Sequence, residues 1–200
     1  YGYSTMAVWK HKDPDTLGVD LRSKTIRGHY SHKIVEIGLE KYLEQIHEAI
    51  ARNEFIIVVG PKGVGKSFLV TYALAKLLDA KARVVYELYG EDLLQLERDI
   101  RRDGKTLLFY DTSDLIYYEP DVFEAPNVRK VRGVVGRLIW GYRRLKDGGT
   151  EVPYLVVLSD DVYNAVKTRI EEKAEEERIE PRIIRVDLRR AEFLEGIVSA

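Results

Sequence analysis

Residues Gly60 to Ser67 read GPKGVGKS and fit the spacing G-x-x-x-x-G-K-[ST]. Glycines at these positions let backbone N–H groups turn inward around an anion, and the positive end of a following helix favours phosphate. Lys66 would reach the β- and γ-phosphates of a nucleotide, and the Ser67 hydroxyl would hold Mg²⁺. The sequence therefore predicts a site for ATP and magnesium. The predicted cofactor-binding residues here are Gly60, Pro61, Lys62, Gly63, Val64, Gly65, Lys66, Ser67 and Phe68.

A metal at the phosphates needs an acid, and the apolar run TLLFYD ends in Asp111. Ligands of open α/β sheets bind at the carboxyl ends of the strands, so Asp111 is predicted to organise the metal together with Ser67. The alternative is that Asp111 only starts a turn. For the base that polarises water the candidates are Asp114 and Glu119, unless no strong base exists. Either carboxylate could equally be a solvated loop acid.

A second apolar run, YLVVL, is followed by Ser159. A small polar side chain at the end of that strand could hydrogen-bond the attacking water or the γ-phosphate. The competing interpretation is that Ser159 or Asp160 caps the next helix. Both interpretations stay open at this point.

Alternating strands and helices must position these groups. Five short apolar runs are typical of buried strands, and helical segments separate them, which predicts right-handed crossovers and a parallel sheet covered on both faces. Residues 1–33 show no sustained period and are interpreted as an irregular arm. The predicted strands are FIIVV, ARVVYEL, KTLLFYD, PYLVVLSD and RIIRVDL, and the predicted helices include KIVEIGLEKYLEQIHEAIARN, EDLLQLERDIRR and RAEFLEGIV.

Composition sets broad limits on the function. Two hundred residues suit one α/β domain, and a formal net charge of -1 means that any nucleic-acid binding must come from a local patch. The absence of cysteine excludes disulfides and thiolate metal sites, and no run of about 18 uncharged apolar residues could span a bilayer. A soluble, cytoplasmic protein is expected. Abundant charged residues with one methionine and no cysteine favour a thermophilic, archaeal source.

The order of these parts resembles the AAA+ superfamily, especially archaeal AAA+ ATPases and origin-recognition initiators, over residues 34–200. The matched pieces are IVEIGLEKYLEQI, GPKGVGKS, LLFYD, LVVLS and IIRVDLRRAEFLEGIV. The resemblance implies a three-layer α/β/α P-loop NTPase with a five-stranded parallel sheet in the order 5-1-4-3-2. It also implies that Val35, Ile37 and Gly38 approach the base, and that Ser159 is the sensor-1 residue.

The sequence departs from the AAA+ pattern at two places. Thr112 stands where these families commonly carry the catalytic glutamate, which argues against fast hydrolysis. A helical lid is expected to be missing or to lie beyond Ala200. AAA+ rings usually receive an arginine from a neighbouring subunit, and Arg178 and Arg182 lie in the matching region; their alternative role is pairing with adjacent glutamates. The predicted catalytic residues are Lys66, Asp111, Asp114, Ser159, Arg178 and Arg182.

Two charge blocks suggest partners. Residues Arg129 to Lys146 contain no acid, so they could bind DNA phosphates, with Trp140 or Tyr142 stacking on bases. The alternative is a core-facing apolar stripe with a solvated arginine face. The acidic run EEKAEEERIE could dock onto this basic helix from a different flank of the neighbouring subunit, and a homo-oligomer is therefore expected.

The expected function is that of a Mg-dependent AAA+-like ATPase coupled to DNA replication or another nucleic-acid transaction. One alternative is a nucleotide-dependent switch or scaffold with little hydrolysis, suggested by Thr112. The other is a P-loop small-molecule kinase, whose arginine-rich lid would be the segment VRKVRGVVGRLIWGYRR. The absence of an N-K-x-D run argues against guanine nucleotides.

Overall fold

The computed structural model describes residues 9–12, 19–20, 25–26, 32–33, 40–61, 66–79, 83–88, 105–112 and 124–186. The strands are β1 (Trp9–Lys12), β2 (Val19–Asp20), β3 (Thr25–Ile26), β4 (His32–Lys33), β5 (Phe55–Gly60), β6 (Val84–Leu88), β7 (Thr106–Asp111), β8 (Tyr154–Ser159) and β9 (Arg182–Arg185). The helices are α1 (Glu40–Ala51), α2 (Lys66–Asp79), α3 (Glu124–Asp147) and α4 (Asp160–Glu177).

One sheet organises most of the described chain. Its six strands lie in the order β1-β6-β7-β8-β5-β9. The last five of these strands are parallel to their neighbours, while β1 pairs antiparallel with β6 at the edge. Counted along the chain, the five parallel strands run 5-1-4-3-2, which is the predicted order. Strand β5, which precedes the phosphate-binding stretch, therefore lies inside the sheet between β8 and β9.

The predicted strand count and the irregular arm need correction. The sheet has a sixth strand, Trp9–Lys12, and β2, β3 and β4 form a small antiparallel sheet of their own. The sequence WKHK shows no alternation of apolar and polar residues. An edge strand does not need this alternation, because it can pair through its backbone alone and tolerates lysine on its unpaired side. Apolar periodicity therefore could not reveal it. The domain boundary at residue 34 stays a prediction.

Helices cover both faces of the sheet. Alternate residues along β5 point to opposite sides, so that Ile56 and Val58 pack with α1 and α2, while Ile57 and Val59 pack with α3 and α4. All six residues of β5 and all six of β8 are buried. This is the three-layer arrangement expected of a mostly parallel sheet.

Three helices end in the same backbone motif, in which a residue with positive φ follows the last turn. The residues are Asn53 (φ 54°), Gly149 (φ 83°) and Arg178 (φ 56°). In each case the N–H of the following residue donates to the carbonyl oxygen of the residue five positions before it, as from Ile179 to Ala174 at 3.0 Å. Glycine and asparagine adopt this conformation readily, whereas arginine does so at a cost of about 1 kcal/mol. Arg178 is therefore the unusual member.

No described helix is both long enough and apolar enough to cross a membrane.

Candidate functional site

The phosphate-binding stretch leaves the sheet at the carboxyl end of β5. Gly60 is the last residue of that strand and pairs in register with Ser159 of β8. Pro61 follows and is exposed, and α2 begins at Lys66. A buried strand, a glycine-rich turn and a helix thus follow one another in the order that a phosphate cradle needs. Lys66, Ser67 and Phe68 form the first turn of α2, but their side chains lie outside the described part.

Asp111 ends β7, two strands away from β5. Its partner in register is Val157 of β8, which pairs in turn with Val58 of β5, so Asp111 lies two strand spacings, roughly 10 Å, from Val58. The side chain is half-buried. Asp111 therefore lies at the same edge of the sheet as Gly60, and its carboxylate is a ligand type that magnesium accepts.

Ser159 lies between these two groups, at the end of β8. It is 3% exposed, and its Oγ has no hydrogen-bond partner within the described residues. It occupies the N-cap position of α4, yet its side chain makes no capping hydrogen bond. The capping interpretation is therefore wrong for the hydroxyl. A buried hydroxyl without a partner costs about 1–3 kcal/mol, which a ligand or water would recover.

Thr112 has a structural role that the sequence did not reveal. It is 1% exposed, and its Oγ1 donates a hydrogen bond of 2.7 Å to the carbonyl oxygen of Val157, while its N–H lies 3.3 Å from the same oxygen. Both donors extend the pairing of β7 with β8 beyond Asp111. Thr112, which stands in the position of the expected glutamate, thus forms hydrogen bonds within the sheet.

The two candidate arginines have different surroundings. Arg182 on β9 makes a two-point ion pair with Glu54, with Nε–Oε2 at 2.8 Å and Nη2–Oε1 at 2.9 Å. This pairing raises the pKa of the Arg182 guanidinium above its usual value. The alternative role of Arg182, pairing with a glutamate, is therefore the one observed, although the partner is distant in sequence. Arg178 is exposed at the end of α4.

Helix α3 is part of the core. The predicted apolar stripe is buried against the sheet, so this helix cannot serve as a mobile lid, and the kinase lid suggested by the sequence is wrong. The exposed face carries Arg129, Arg132 and Arg137, and Trp140 is 42% exposed. The buried residues of this stripe are Val131, Val134, Val135, Leu138, Ile139 and Tyr142.

The acidic and basic blocks lie on the same face of the sheet. Helices α3 and α4 pack side by side, and Arg144 approaches the buried carboxylate of Glu177 at 3.6 Å. The expectation that they occupy different flanks is therefore wrong. The expectation failed because the distance between two helices along the sequence does not show whether they pack on the same face of the sheet.

Several predicted residues lie outside the described part of the chain: Val35, Ile37, Gly38, Lys62, Gly63, Val64, Gly65, Asp114 and Glu119. Within the described ranges no group of three or more His, Asp or Glu could hold a metal ion by itself. A metal at this edge of the sheet would therefore depend on phosphate and water oxygens in addition to Ser67 and Asp111.

Comparison with known proteins supports the fold. No family model and no curated protein matches the sequence. A chain of Drosophila ORC bound to poly(dA/dT) DNA and Cdc6 is similar in structure, with a TM-score of 0.52, 12% identity and coverage of 82% of this chain and 31% of that chain. An Escherichia coli HORMA:CdnC:Trip13 complex covers 82% of this chain and 68% of its own, at 13% identity and TM-score 0.48.

The chain spans about a third of the length of the ORC chain that it resembles. At this identity the likeness concerns the fold alone, and it supports the α/β fold described above. The resemblance to the AAA+ superfamily, and to its archaeal members in particular, stays a prediction.

Proposed function

We propose that this chain binds Mg·ATP at the carboxyl end of β5 and hydrolyses it slowly, as an AAA+-like ATPase coupled to a nucleic-acid transaction. The observation that carries the proposal is the buried, unpartnered hydroxyl of Ser159 in register with Gly60, the first residue of the phosphate-binding stretch. Proteins rarely leave such a group unsatisfied unless something else occupies the position.

Each group at this edge has a separate task. The backbone N–H groups of Gly60 to Gly65 and the N-terminus of α2 would bind the phosphates, and the Lys66 ammonium would stabilise charge on the γ-phosphate. Ser67 and Asp111 would hold magnesium, which would neutralise phosphate charge. The Ser159 hydroxyl would orient the attacking water or the γ-phosphate.

Arg178 is proposed to act on the nucleotide of a neighbouring subunit. It is exposed, and it holds a positive-φ position that glycine and asparagine occupy at the ends of α3 and α1. A residue kept in an unfavourable backbone conformation suggests a requirement for its side chain. We do not assign this task to Arg182, because Glu54 already binds its guanidinium.

A nucleotide-dependent switch with little hydrolysis is the second candidate. It is favoured by Thr112, whose hydroxyl donates to Val157 and whose side chain cannot act as a base. Under this proposal ATP binds tightly and the γ-phosphate persists. The coupling to nucleic acid is supported by the basic face of α3 and by a fold shared with a DNA-bound ORC chain.

The test measures ATP binding and phosphate release with the wild type and Lys66→Ala, with and without DNA. Binding that disappears in Lys66→Ala, with phosphate release that DNA accelerates, supports the ATPase. Binding without measurable release supports the switch. Equal ATP affinity of wild type and variant would reject both.

A further inference from the structure

The outer face of α3 contains two glycines whose presence the described structure does not explain. A Cβ built on Gly133 or Gly136 meets no atom within 4 Å, so packing does not require a small residue at either position. Gly141 differs, because its Cβ would lie 3.4 Å from the Tyr154 hydroxyl. Glycine destabilises the interior of a helix relative to alanine. Two glycines with open space beside them in a 24-residue helix therefore suggest that something outside the fold approaches the backbone closely.

The residues around the glycines indicate what approaches. Arg129, Gly133, Gly136, Trp140 and Arg144 follow one another at spacings of three and four, so they share one helix face about 22 Å long. Trp140 is 42% exposed. The face thus combines cations, bare backbone and an aromatic ring.

The arginines on this face differ in whether they have a partner. Arg143 and Arg144, near the end of α3, pair with Asp147 at 3.0 and 3.8 Å. In the described part of the chain Arg129, Arg132 and Arg137 are exposed and make no ion pair. Three cations without carboxylates are therefore available to an external anion.

A second copy of this chain is the less suitable occupant. Its acidic helix would be α4, but four of the five glutamates there already pair with cations of the same helix. Lys167 pairs with Glu171 at 3.8 Å, Arg169 with Glu172 at 4.0 Å and Lys173 with Glu176 at 3.3 Å. Most glutamates of α4 therefore already interact with cations of the same helix, and they are poor partners for the unpaired arginines of α3.

We propose that the outer face of α3 binds single-stranded nucleic acid, with phosphates at Arg129, Arg132 and Arg137, the strand lying close to Gly133 and Gly136, and a base stacked on Trp140. Arginine contacts with phosphate supply affinity without sequence preference, and aromatic stacking requires bases that are not enclosed in a duplex. This inference deepens the proposed nucleic-acid coupling and rests on it.

The test measures the fluorescence anisotropy of a labelled oligothymidylate of about ten nucleotides, a length typical of such sites. No nucleotide is added, so the result is independent of ATP binding and hydrolysis, and a failure here leaves the ATPase proposal to its own experiment. Arg132→Ala/Arg137→Ala is expected to weaken binding by about tenfold or more and to reduce the salt slope by about 1.4, at about 0.7 for each lost phosphate contact. Lys41→Ala removes an exposed cation of α1, on the opposite side of the sheet, and is expected to leave the affinity unchanged.

Two further variants separate binding from folding. Gly133→Ala/Gly136→Ala is expected to raise the melting temperature and to weaken oligonucleotide binding at the same time. In a Trp9→Phe background Trp140 is the only tryptophan, and its fluorescence is expected to fall when the oligonucleotide binds.

Three results would overturn the proposal. The first is equal affinity of Arg132→Ala/Arg137→Ala and the wild type. The second is tighter binding of duplex than of single strand. The third is a wild-type dimer that binds no oligonucleotide and dissociates in Arg132→Ala/Arg137→Ala, which would assign the face to a second copy.

Discussion

Two hydroxyl groups at the carboxyl edge of the sheet show how much a residue's role depends on its neighbours. Thr112 and Ser159 are both buried, at 1% and 3% exposure. The Thr112 hydroxyl donates to Val157, whereas the Ser159 hydroxyl has no partner in the described structure. Thr112 therefore contributes to the stability of the sheet, whereas the Ser159 hydroxyl is available for the nucleotide interaction proposed above.

The first prediction concerns Thr112. Replacing it by valine removes the 2.7 Å hydrogen bond but keeps the shape, so the free energy of unfolding is expected to fall by about 1 kcal/mol. ATP hydrolysis is expected to stay within about twofold of the wild type, because the hydroxyl does not take part. Urea unfolding and phosphate release measure the two quantities. A tenfold loss of kcat in a folded variant would show that Thr112 participates after all.

The second prediction concerns Ser159 and has the opposite pattern. Ser159→Ala removes an unsatisfied buried group, so the free energy of unfolding without nucleotide is expected to be unchanged or to rise by about 1 kcal/mol. Hydrolysis is expected to fall by about tenfold, since the attacking water loses a partner. A Ser159→Ala variant that loses about 1 kcal/mol of stability and keeps full activity would contradict the assignment, because the hydroxyl would then be satisfied within the fold.

The sequence predicted the residue types of this site better than their surroundings. Gly60, Asp111 and Ser159 could be placed at one edge because parallel strands end on the same side. The sequence could not show that Thr112 faces the sheet or that Arg182 binds Glu54, since Glu54 lies 128 residues away along the chain. Long-range pairing of side chains leaves no local pattern.

At the scale of elements, hydrophobic runs predicted the five parallel strands because these strands are buried on both faces. The edge strand β1 was missed because its pairing with β6 depends on the backbone. The side-by-side packing of α3 and α4 also had no sequence signal. Strand order fixes which helices are neighbours, whereas charge along the chain does not.

The third prediction concerns the turn between α1 and β5. The Tyr142 hydroxyl on α3 donates a 2.6 Å hydrogen bond to the carbonyl oxygen of Asn53, and Arg83 bonds the Ile50 carbonyl at 3.1 Å. Burial raises the pKa of the Tyr142 phenol above 10.0, and the carboxylates of Glu151 and Glu54 raise it further. Between pH 10 and its raised pKa, the Tyr142 phenol thus keeps its proton in the folded state and loses it in the unfolded state.

The sign of the pH dependence follows. Because the folded pKa is raised, Tyr142 contributes its full stability below about pH 10, and the contribution declines as the pH rises from there towards the folded pKa. Tyr142→Phe is expected to cost about 1 kcal/mol at neutral pH. Above pH 10 the wild type is expected to lose more stability than the variant, which urea unfolding over this range measures. A difference that stays constant with pH would contradict the assignment.

At the scale of the whole molecule, the position of Arg178 decides which nucleotide site its side chain can reach. Arg178 lies at the end of α4, and α4 runs back from the carboxyl edge of β8 towards the opposite edge of the sheet. Its side chain therefore lies far from the Ser159 of its own chain, about 27 Å along an 18-residue helix. If Arg178 contributes to hydrolysis, it does so in a neighbouring subunit.

The fourth prediction tests this arrangement with Arg178→Gly. Glycine suits the positive φ of 56°, so the free energy of unfolding is expected to rise by about 1 kcal/mol. Hydrolysis is expected to fall by about a hundredfold or more, as for other arginines that act in trans.

Arg169→Ala, which removes another exposed arginine of α4, is expected to leave hydrolysis unchanged. Mixing Arg178→Gly with the inactive Lys66→Ala variant is expected to restore part of the activity, because each Lys66→Ala subunit supplies an intact Arg178 to a neighbour that binds ATP. The mixture is measured under conditions in which the two variants assemble. If its phosphate release is no higher than that of the separate variants, Arg178 is not the catalytic cation.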